Sequence, residues 1–477
     1  MPCIAFSPSL TAPEQARYLY EHIPPGLFKV VEEEKTIAWR IAPEPFALSP
    51  ETLGKIERTG ADLLAFYRGL NALYNRSARG SAPAFIAEYL DLGKPEHIVR
   101  LSRQNRFKQD IPGVIRPDLI LTDNGFIAAE LDSVPGGMGF VGAMAQTYCM
   151  LGMESIGGAT GVPEGFAEMV AATSANQNPV VAIVVSEESK DYRPEMTWLT
   201  KALNSLGTVS AYICAPQDVV FTEDALFVRL PDGREEKIDV LYRNFELFDL
   251  LNVPKQDLLL YAARHNRVKM TPPAKAQFEE KLAFALLQHP GLAPLWLAEL
   301  GADVFKRLKV LFPLTWVIDP RPMPPQAVIH GLEVNGEPVS DWIGLAALGK
   351  SDRDFVVKPS GFSELAWGSR GVRVANDLSK EEWTDTLLEA IREYERTPRI
   401  LQRFHKGKRI RQSYFDEKAG EIRNFDGRVR LCPYFFVIGD QTRLGGILAT
   451  VAPADKRLIH GMSEAVMAPC AVKDGGN

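Results

Sequence analysis

Arg116-Pro117-Asp118-Leu119-Ile120-Leu121-Thr122-Asp123-Asn124-Gly125-Phe126-Ile127-Ala128-Ala129-Glu130-Leu131-Asp132 is the stretch on which the reading of this chain turns. Two apolar runs flank Asp123-Asn124-Gly125. A loop of those three residues, with Gly125 left-handed and a bulge after it, makes a β-hairpin. That register sets Asp118 opposite Glu130 and Arg116 opposite Asp132. Residues opposite each other share a face, so one side carries Arg116, Asp118, Glu130 and Asp132. The other carries Leu119, Leu121, Ile127, Ala129 and Leu131, a core face. A two-residue loop at Asn124-Gly125 would turn Asp118 to the opposite side. Three carboxylates on one face repel unless solvent or a cation separates them. Magnesium takes oxygen ligands, usually one or two carboxylates with phosphate oxygens and waters. Two readings of this face stand side by side: a cation site of Asp118, Glu130 and Asp132, or a solvated polar surface.

Just beyond lies Gly137-Met138-Gly139-Phe140-Val141-Gly142, a G-x-G-x-x-G match that suggests a dinucleotide-binding turn. Glu130 and Asp132 on the entering strand are poor neighbours for a pyrophosphate, and no apolar run in 156–168 supplies the second strand. Gly136 and Gly137 instead read as a turn whose amides meet a substrate or phosphate, or as a plain tight turn.

Working outward, 477 residues hold roughly two to four domains of ~100–200 residues. Residues 1–175 are mixed, with an apolar helical stripe over 50–74 and the hairpin region at 112–135. Residues 176–272 predict a small open α/β domain. It has a strand buried on both faces at 180–185, a helix over 196–206, a strand over 209–214, and a hairpin joining 227–230 to 238–242 through Pro231-Asp232-Gly233. Ser186 and Arg243 follow two of these strands, where open α/β sheets bind ligands. They read as substrate contacts or as ordinary strand ends. Residues 273–477 predict an α+β pattern. It has a helix over 276–287, a strand at 355–357, and a helix after the capping box Ser379-x-x-Glu382. Strands over 400–404, 409–415 and 428–437 are joined by turns at 418–420 and 426–427.

The composition is that of a globular protein, 46% hydrophobic and 24% charged, with net charge −6. No basic stripe favours a nucleic-acid partner. Cys3, Cys149, Cys214, Cys432 and Cys470 form no C-x-x-C pair, which suggests neither a disulfide framework nor a zinc site. Met1 to Tyr20 has no leader pattern, and no apolar run is long enough for a membrane span. A cytoplasmic protein without membrane partners is expected.

In the last third, Lys358 ends a strand and Trp367-Gly368-Ser369-Arg370-Gly371-Val372 follows. A glycine loop before a strand can lay its amides over phosphates, although this is not the G-x-x-x-x-G-K-[ST] loop.

Taken in order, these pieces resemble the circularly permuted ATP-grasp family, which includes the synthetase domain of glutathionylspermidine synthase. Arg116-x-Asp118 and Glu130-x-Asp132 resemble its R-x-D and E-x-N hairpin. Glu280-Lys281, Phe312-Pro313-Leu314-Thr315, Val357-Lys358-Pro359 with Gly368 to Val372, Ile400 to Phe404, Arg428-Val429-Arg430, Leu444-Gly445-Gly446 and the segment 456–469 resemble its later elements. The resemblance covers about 112–472. It implies a mixed α/β and α+β chain: a circularly permuted ATP-grasp fold with a small pre-ATP-grasp-like domain. It further implies an ATP- and Mg2+-dependent ligase that joins a carboxylate to an amine through an acyl phosphate. ATP would lie between the lobes of 275–470, bound by Lys281, Lys358, Gly368, Ser369, Arg370, Gly371 and Gln402. Magnesium would rest on Asp118, Glu130 and Asp132, with Arg116 and Arg430 at the transferring phosphoryl group. The partners would be small-molecule or peptide acids and amines. Asp132 departs from the family's asparagine, which leaves open a nucleotide-binding protein without turnover. A dehydrogenase using Gly137 to Gly142 is the other alternative.

Overall fold

The computed structural model describes residues 10–32, 35–324, 326–366, 370–459 and 464–477. The chain divides into two compact units. The first comprises the described residues of Met1–Leu64, Pro112–Pro273 and Lys406–Asn477, and the second Ala65–Ile111 and Ala274–His405.

In the first unit, Val114–Thr122 and Gly125–Asp132 form the expected hairpin at the edge of a large sheet. Its strands run in the order Arg40–Ile41, Val466–Val472, Gln441–Pro453, Glu421–Ile438, Val114–Thr122, Gly125–Asp132. The loop is one residue shorter than expected. Thr122 pairs with Gly125, leaving Asp123-Asn124 as the turn, and Gly125 has φ +117°. Leu119 then faces Ala128 while Asp118 faces Glu130, so Ala129 is an extra residue in a bulge. The bulge cancels the shorter loop, and Arg116 still pairs with Asp132. On the apolar side Leu119, Leu121 and Ala128 are buried and Leu131 partly so. Ile127 is a correction: it pairs with Ile120, so the shorter loop turns it to the side of Asp118, and Ala128 takes its place on the apolar side.

The turn predicted at 426–427 does not form. Glu421–Ile438 runs straight through it, and Gly427 pairs with Ile410 on one side and Pro453 on the other. A Cβ on Gly427 would lie 2.5 Å from Val451 Cγ1. This glycine permits close strand approach rather than a reversal. The turn at 418–420 does form, with Gly420 left-handed at φ +68°.

The small α/β part is a parallel sheet in the order Lys269–Thr271, Val240–Asn244, Val180–Val185, Ser210–Cys214. Here the expected hairpin is corrected. Leu226–Arg229 pairs with Glu235–Lys237, and Val240–Asn244 instead joins the parallel sheet. Val240, Leu241 and Tyr242 are all buried, which suits an inner parallel strand. Glu235-Glu236-Lys237 has no apolar signal and was invisible to periodicity. Side chains of the Met138–Met150, Gly161–Thr173 and Arg193–Leu206 helices share one core with both sheets, including Tyr148, Phe166, Met196, Ile183, Tyr242, Tyr434 and Phe436. Cys149 is disulfide-bonded, which the cysteine spacing did not suggest.

The second unit centres on an antiparallel sheet in the order Thr315–Val317, Arg399–Arg403, Phe355–Pro359, Arg373–Val374. Phe355, Val357 and Leu401 pack on Trp383 and Leu387 of the Lys380–Arg392 helix. The capping box holds: Ser379 N donates to Glu382 Oε2 at 2.7 Å, and Glu382 N to Ser379 Oγ at 3.1 Å. Ile400 and Val317, on the opposite face, pack on Leu282 and Ala285. The helix predicted over 276–287 is broken into a 3-10 turn at Ala276–Phe278 and a helix at Leu282–Gln288, with Lys281 at the cap. Tertiary contact overrides propensity there: Gly361 lies so close to the Glu279 carbonyl that no Cβ would fit. Among the described residues no helix is long and apolar enough to cross a membrane.

Trp383 is fully buried and its Nε1 donates to Leu345 O at 2.9 Å. Trp383→Ala is expected to cost about 3–5 kcal/mol, read as a lowered urea midpoint with an unchanged slope.

Candidate functional site

Alternation along two neighbouring strands of the first unit, Val114–Thr122 and Glu421–Ile438, places Arg116, Asp118, Cys432 and Arg430 on one sheet face. Arg430 Nη1 donates to Asp118 Oδ2 at 2.9 Å, and the Cys432 thiol to Asp118 Oδ1 at 3.4 Å. Arg116 Nη2 reaches Asp132 Oδ2 at 2.8 Å and Asp118 Oδ1 at 3.3 Å. Asp132 Oδ1 accepts from Val134 N at 2.8 Å. Burial pushes the Cys432 thiol up to about 12, and the Asp118 carboxylate adds to it, so sulfur stays a protonated donor. The two carboxylates hold the Arg116 proton firmly against the desolvation that opposes it.

Asp132 shows how crowded the charge is. Burial raises its carboxyl above the ordinary range, Arg116 opposes this, and Glu130 and Asp118 raise it further. The donor type and the surplus of negative charge fit a hard divalent cation. The geometry is not a ready cage, because both oxygens of Asp118 and of Asp132 already accept protein donors. Among the described residues no group of three or more acidic, histidine or cysteine side chains is drawn together as a metal site. Loading a cation on Asp118, Glu130 and Asp132 requires the Arg116 fork to loosen.

The guanidinium groups carry a complementary signal. Nε of Arg116, of Arg430 and of Arg428 is buried without an acceptor among the described residues. Arg428 stands two residues before Arg430 on the same strand face and is 6% exposed. Its Nη1 donates to Lys456 O at 3.1 Å. Burial first, then the like charges of Arg409 and Arg457, loosen its proton, with Asp455 opposing. Buried donors without acceptors are costly, and an anion resolves the cost. The sequence named Arg428 only within Arg428-Val429-Arg430; the convergence of Arg409 and Arg457 is tertiary and left no linear signal.

The glycine turn is already occupied. Glu195, 5% exposed on the Arg193–Leu206 helix, accepts from Gly137 N at 2.8 Å and Phe140 N at 3.1 Å. Its carboxylate fills the helix N-terminus that a pyrophosphate would need. Gly139 lets the two helices touch, since a Cβ would overlap the Glu195 carbonyl, and Gly142 packs on Trp198. These glycines serve helix packing, which opposes the dehydrogenase alternative. Gly136 O accepts from Tyr434 Oη at 2.7 Å. Ser186 Oγ accepts from Ser189 N at 3.3 Å. Arg243, 1% exposed, donates to the carbonyls of Phe245, Pro272 and Pro273. The polar groups of Ser186, Arg243, Gly136 and Gly137 thus support the scaffold.

In the second unit the cross-strand register sets Thr315 and Val356 opposite Gln402, and Lys358 opposite Ile400, all on one face. Lys358 Nζ donates to Gln402 Oε1 at 2.9 Å, and Gln402 Nε2 to Thr315 Oγ1 at 3.2 Å. The helix capped by Lys281 packs on that same face through Leu282. Lys281 Nζ donates to Ala366 O at 3.3 Å. Gly371 N closes the loop onto Leu365 O at 2.9 Å, and a Cβ on Gly371 would crowd Pro359. Arg370 is exposed beside it. Gly368 and Ser369 lie outside the described residues, as do Trp367 and residues 460–463.

No family model matches this chain, and no curated protein does. Among solved structures, a glutathione synthetase-like effector from Globodera pallida superposes with a TM-score of 0.59 at 11% identity, over 97% of this chain and 96% of that one. The likeness spans nearly all of both chains and shows a common fold. A candidate gamma-glutamylcysteine synthetase from Methylobacillus flagellatus gives a TM-score of 0.38 at 12% identity, over 80% and 85%; at that distance it carries no weight.

Burial raises the Glu195 carboxyl to about 7 from an ordinary 4.5, against the amides of Gly137, Phe140 and Gly139. Between those values the native state holds a proton that the unfolded state has lost. The stabilising contribution is full below the unfolded value and is lost as pH rises through about 7. Glu195→Gln does not titrate. The stability of wild type minus that of Glu195→Gln is therefore expected to shrink from about pH 5 to about pH 8, measured by urea midpoints.

Proposed function

We propose that this protein is an ATP- and Mg2+-dependent carboxylate–amine ligase with a circularly permuted ATP-grasp arrangement. The observation that carries this proposal is the trio of buried guanidinium donors, on Arg116, Arg428 and Arg430, beside a carboxylate-rich ribbon. Donors that lack acceptors call for an anion, and surplus carboxylates call for a cation. A magnesium nucleotide brings both. The fold shared with a glutathione synthetase-like protein agrees with this.

In this scheme Lys281 and Lys358 neutralise the nucleotide's phosphates, and Gln402 steadies Lys358 near the base. Arg370, exposed beside Gly371, adds positive charge for the same phosphates. Asp118, Glu130 and Asp132 would hold magnesium, which offsets charge on phosphate oxygens when bound. Arg116 and Arg430 offer planar forks to the transferring phosphoryl group. Arg428, with Arg409 and Arg457 nearby, takes the carboxylate of the acid substrate; Arg243 is instead held by the carbonyls of Phe245, Pro272 and Pro273. The acid's oxygen attacks the γ-phosphorus, the bond to ADP breaks, and an acyl phosphate results. The amine nitrogen then attacks the acyl carbon, phosphate leaves, and the nitrogen loses a proton. Catalysis is mostly positioning and charge compensation.

One observation favours a second reading. Asp132 grips Arg116, where an asparagine would carry no charge. If that grip prevents cation loading, the protein binds nucleotide without turning it over.

Screening acids and amines for phosphate release from ATP with Mg2+ tests both. Turnover is expected with a particular acid and amine pair, yielding ADP, phosphate and an amide. Lys358→Met and Asp118→Asn should each lower kcat/KM by roughly 100-fold or more, the scale of a lost transition-state charge contact. Asp132→Asn should keep or raise turnover. No ATP binding by the wild type would defeat the ligase reading. Binding without turnover, with activity appearing only in Asp132→Asn, would establish the second.

A further inference from the structure

Glu280 is an acid with no role in the scheme above, yet it is placed where it can govern one. Its side chain is 0% exposed and that of its partner Lys94 is 2% exposed. One oxygen, Oε1, accepts from Lys94 Nζ, and the other, Oε2, from Ser360 Oγ. Glu280 immediately precedes Lys281, and Ser360 follows Lys358 by two residues. The Gly361 backbone is pressed against the Glu279 carbonyl, leaving no room for a Cβ. Lys94 comes from a separate turn. There Gly93 is left-handed at φ +73°, and a Cβ on it would fall 2.5 Å from Arg396 O. The Lys94 ammonium also lies 5.9 Å from the Phe362 ring centroid. Three segments distant in sequence, at 94, 280 and 360, therefore meet on one buried carboxylate.

A buried ion pair adds little net stability, because desolvation offsets the attraction. Its geometry is nonetheless demanding, since either charge left alone is penalised by several kcal/mol. We infer that Lys94, Glu280 and Ser360 form a buried clasp that fixes Lys281 relative to Lys358 and thereby sets the affinity for the nucleotide's phosphates. The inference rests on the proposed nucleotide site of this unit. These three are positioning residues: they act through the two lysines. The clasp ties the start of the Leu282–Gln288 helix to the exit of the Phe355–Pro359 strand. Without it, Lys281 and Lys358 would still exist, but their separation would vary. A chain of negative phosphates rewards two cations at a fixed spacing more than two mobile ones.

The test is ATP and AMP binding by calorimetry on the full chain, for wild type, Ser360→Ala, and the double variant Lys94→Met with Glu280→Leu. The double variant replaces both charges by apolar groups, so that neither is stranded. Expected is a urea midpoint close to wild type for both variants and an ATP Kd raised about 10-fold, equal to about 1.4 kcal/mol. AMP binding, which lacks the β- and γ-phosphates, should be unchanged. An ATP Kd equal to wild type in Ser360→Ala overturns the inference, as does an equal loss of ATP and AMP affinity. Should the double variant not fold, Ser360→Ala, which removes only a hydroxyl, decides alone. Wild type that binds no ATP sinks the nucleotide site itself, and the clasp falls with it. Wild type that binds ATP with unaffected variants sinks only the clasp.

Discussion

The ion pair of Arg430 with Asp118 is the contact on which the arrangement of the first unit depends. Asp118 is nearly buried in the middle of a sheet, a position a carboxylate holds only with partners. Arg430 supplies one, Cys432 a second and Arg116 a third. Arg116 in turn reaches across the hairpin to Asp132. Remove the guanidinium from the neighbouring strand, and Asp118 would have to neutralise or leave, taking the ribbon's register with it. The network stabilises the edge of the sheet and holds, in one place, the charges a phosphorylated ligand would use. Its own oxygens are spoken for, while its Nε–H groups are not. That asymmetry makes this surface more receptive to an anion than a metal-ligand count alone would suggest.

Around that network, what could be read in the sequence depended on how local the deciding physics was. The ribbon was legible because alternation and a Gly turn are local. Its loop length was not, since one residue more in the turn or one in a bulge gives the same far register, and alternation alone does not separate them. Val180–Val185 was legible as an apolar run. Glu235–Lys237 was not, because its side chains face water and carry no period. The Asp426-Gly427 pair resembled a turn because glycine is ambiguous: it also suits the tightest strand approach, and Val451 is that neighbour. The G-x-G-x-x-G match failed as a nucleotide motif for a similar reason. Glycine permits two helices to touch just as it permits a phosphate to approach, and only Glu195, 58 positions from Gly137, tells them apart.

The second unit shows the same division. Lys358, Gln402 and Thr315 were picked out from three separated segments, and the sheet register brings them into a single hydrogen-bonded line. Thr315 Oγ1 closes that line by donating to Pro313 O at 2.8 Å. Every polar atom in such a line constrains the next, so the lysine's ammonium is aimed by residues that themselves never need to meet a ligand. The break at 279–281 escaped detection because helix propensity is uniform through Glu279-Glu280-Lys281. What interrupts the helix is the arrival of Gly361 from elsewhere in the chain.

The bulge at Ala129 bears on how this hairpin can diverge. Strand residues obey a parity rule, odd to one side and even to the other. Ala129 breaks that count once, standing unpaired between the pairs Leu119–Ala128 and Asp118–Glu130. A lineage that lost Ala129 alone would only straighten the ribbon, leaving Glu130 opposite Asp118 and Asp132 opposite Arg116. Loss of any one residue from Phe126 to Ala128 would let Ala129 take up a paired place, again with no change at the charged end. A second loss there has no spare residue to draw on and would turn Glu130 and Asp132 to the sheet's apolar side. A gap of one in this strand among relatives should therefore leave the charged face intact, and a gap of two marks a protein in which it has been dismantled.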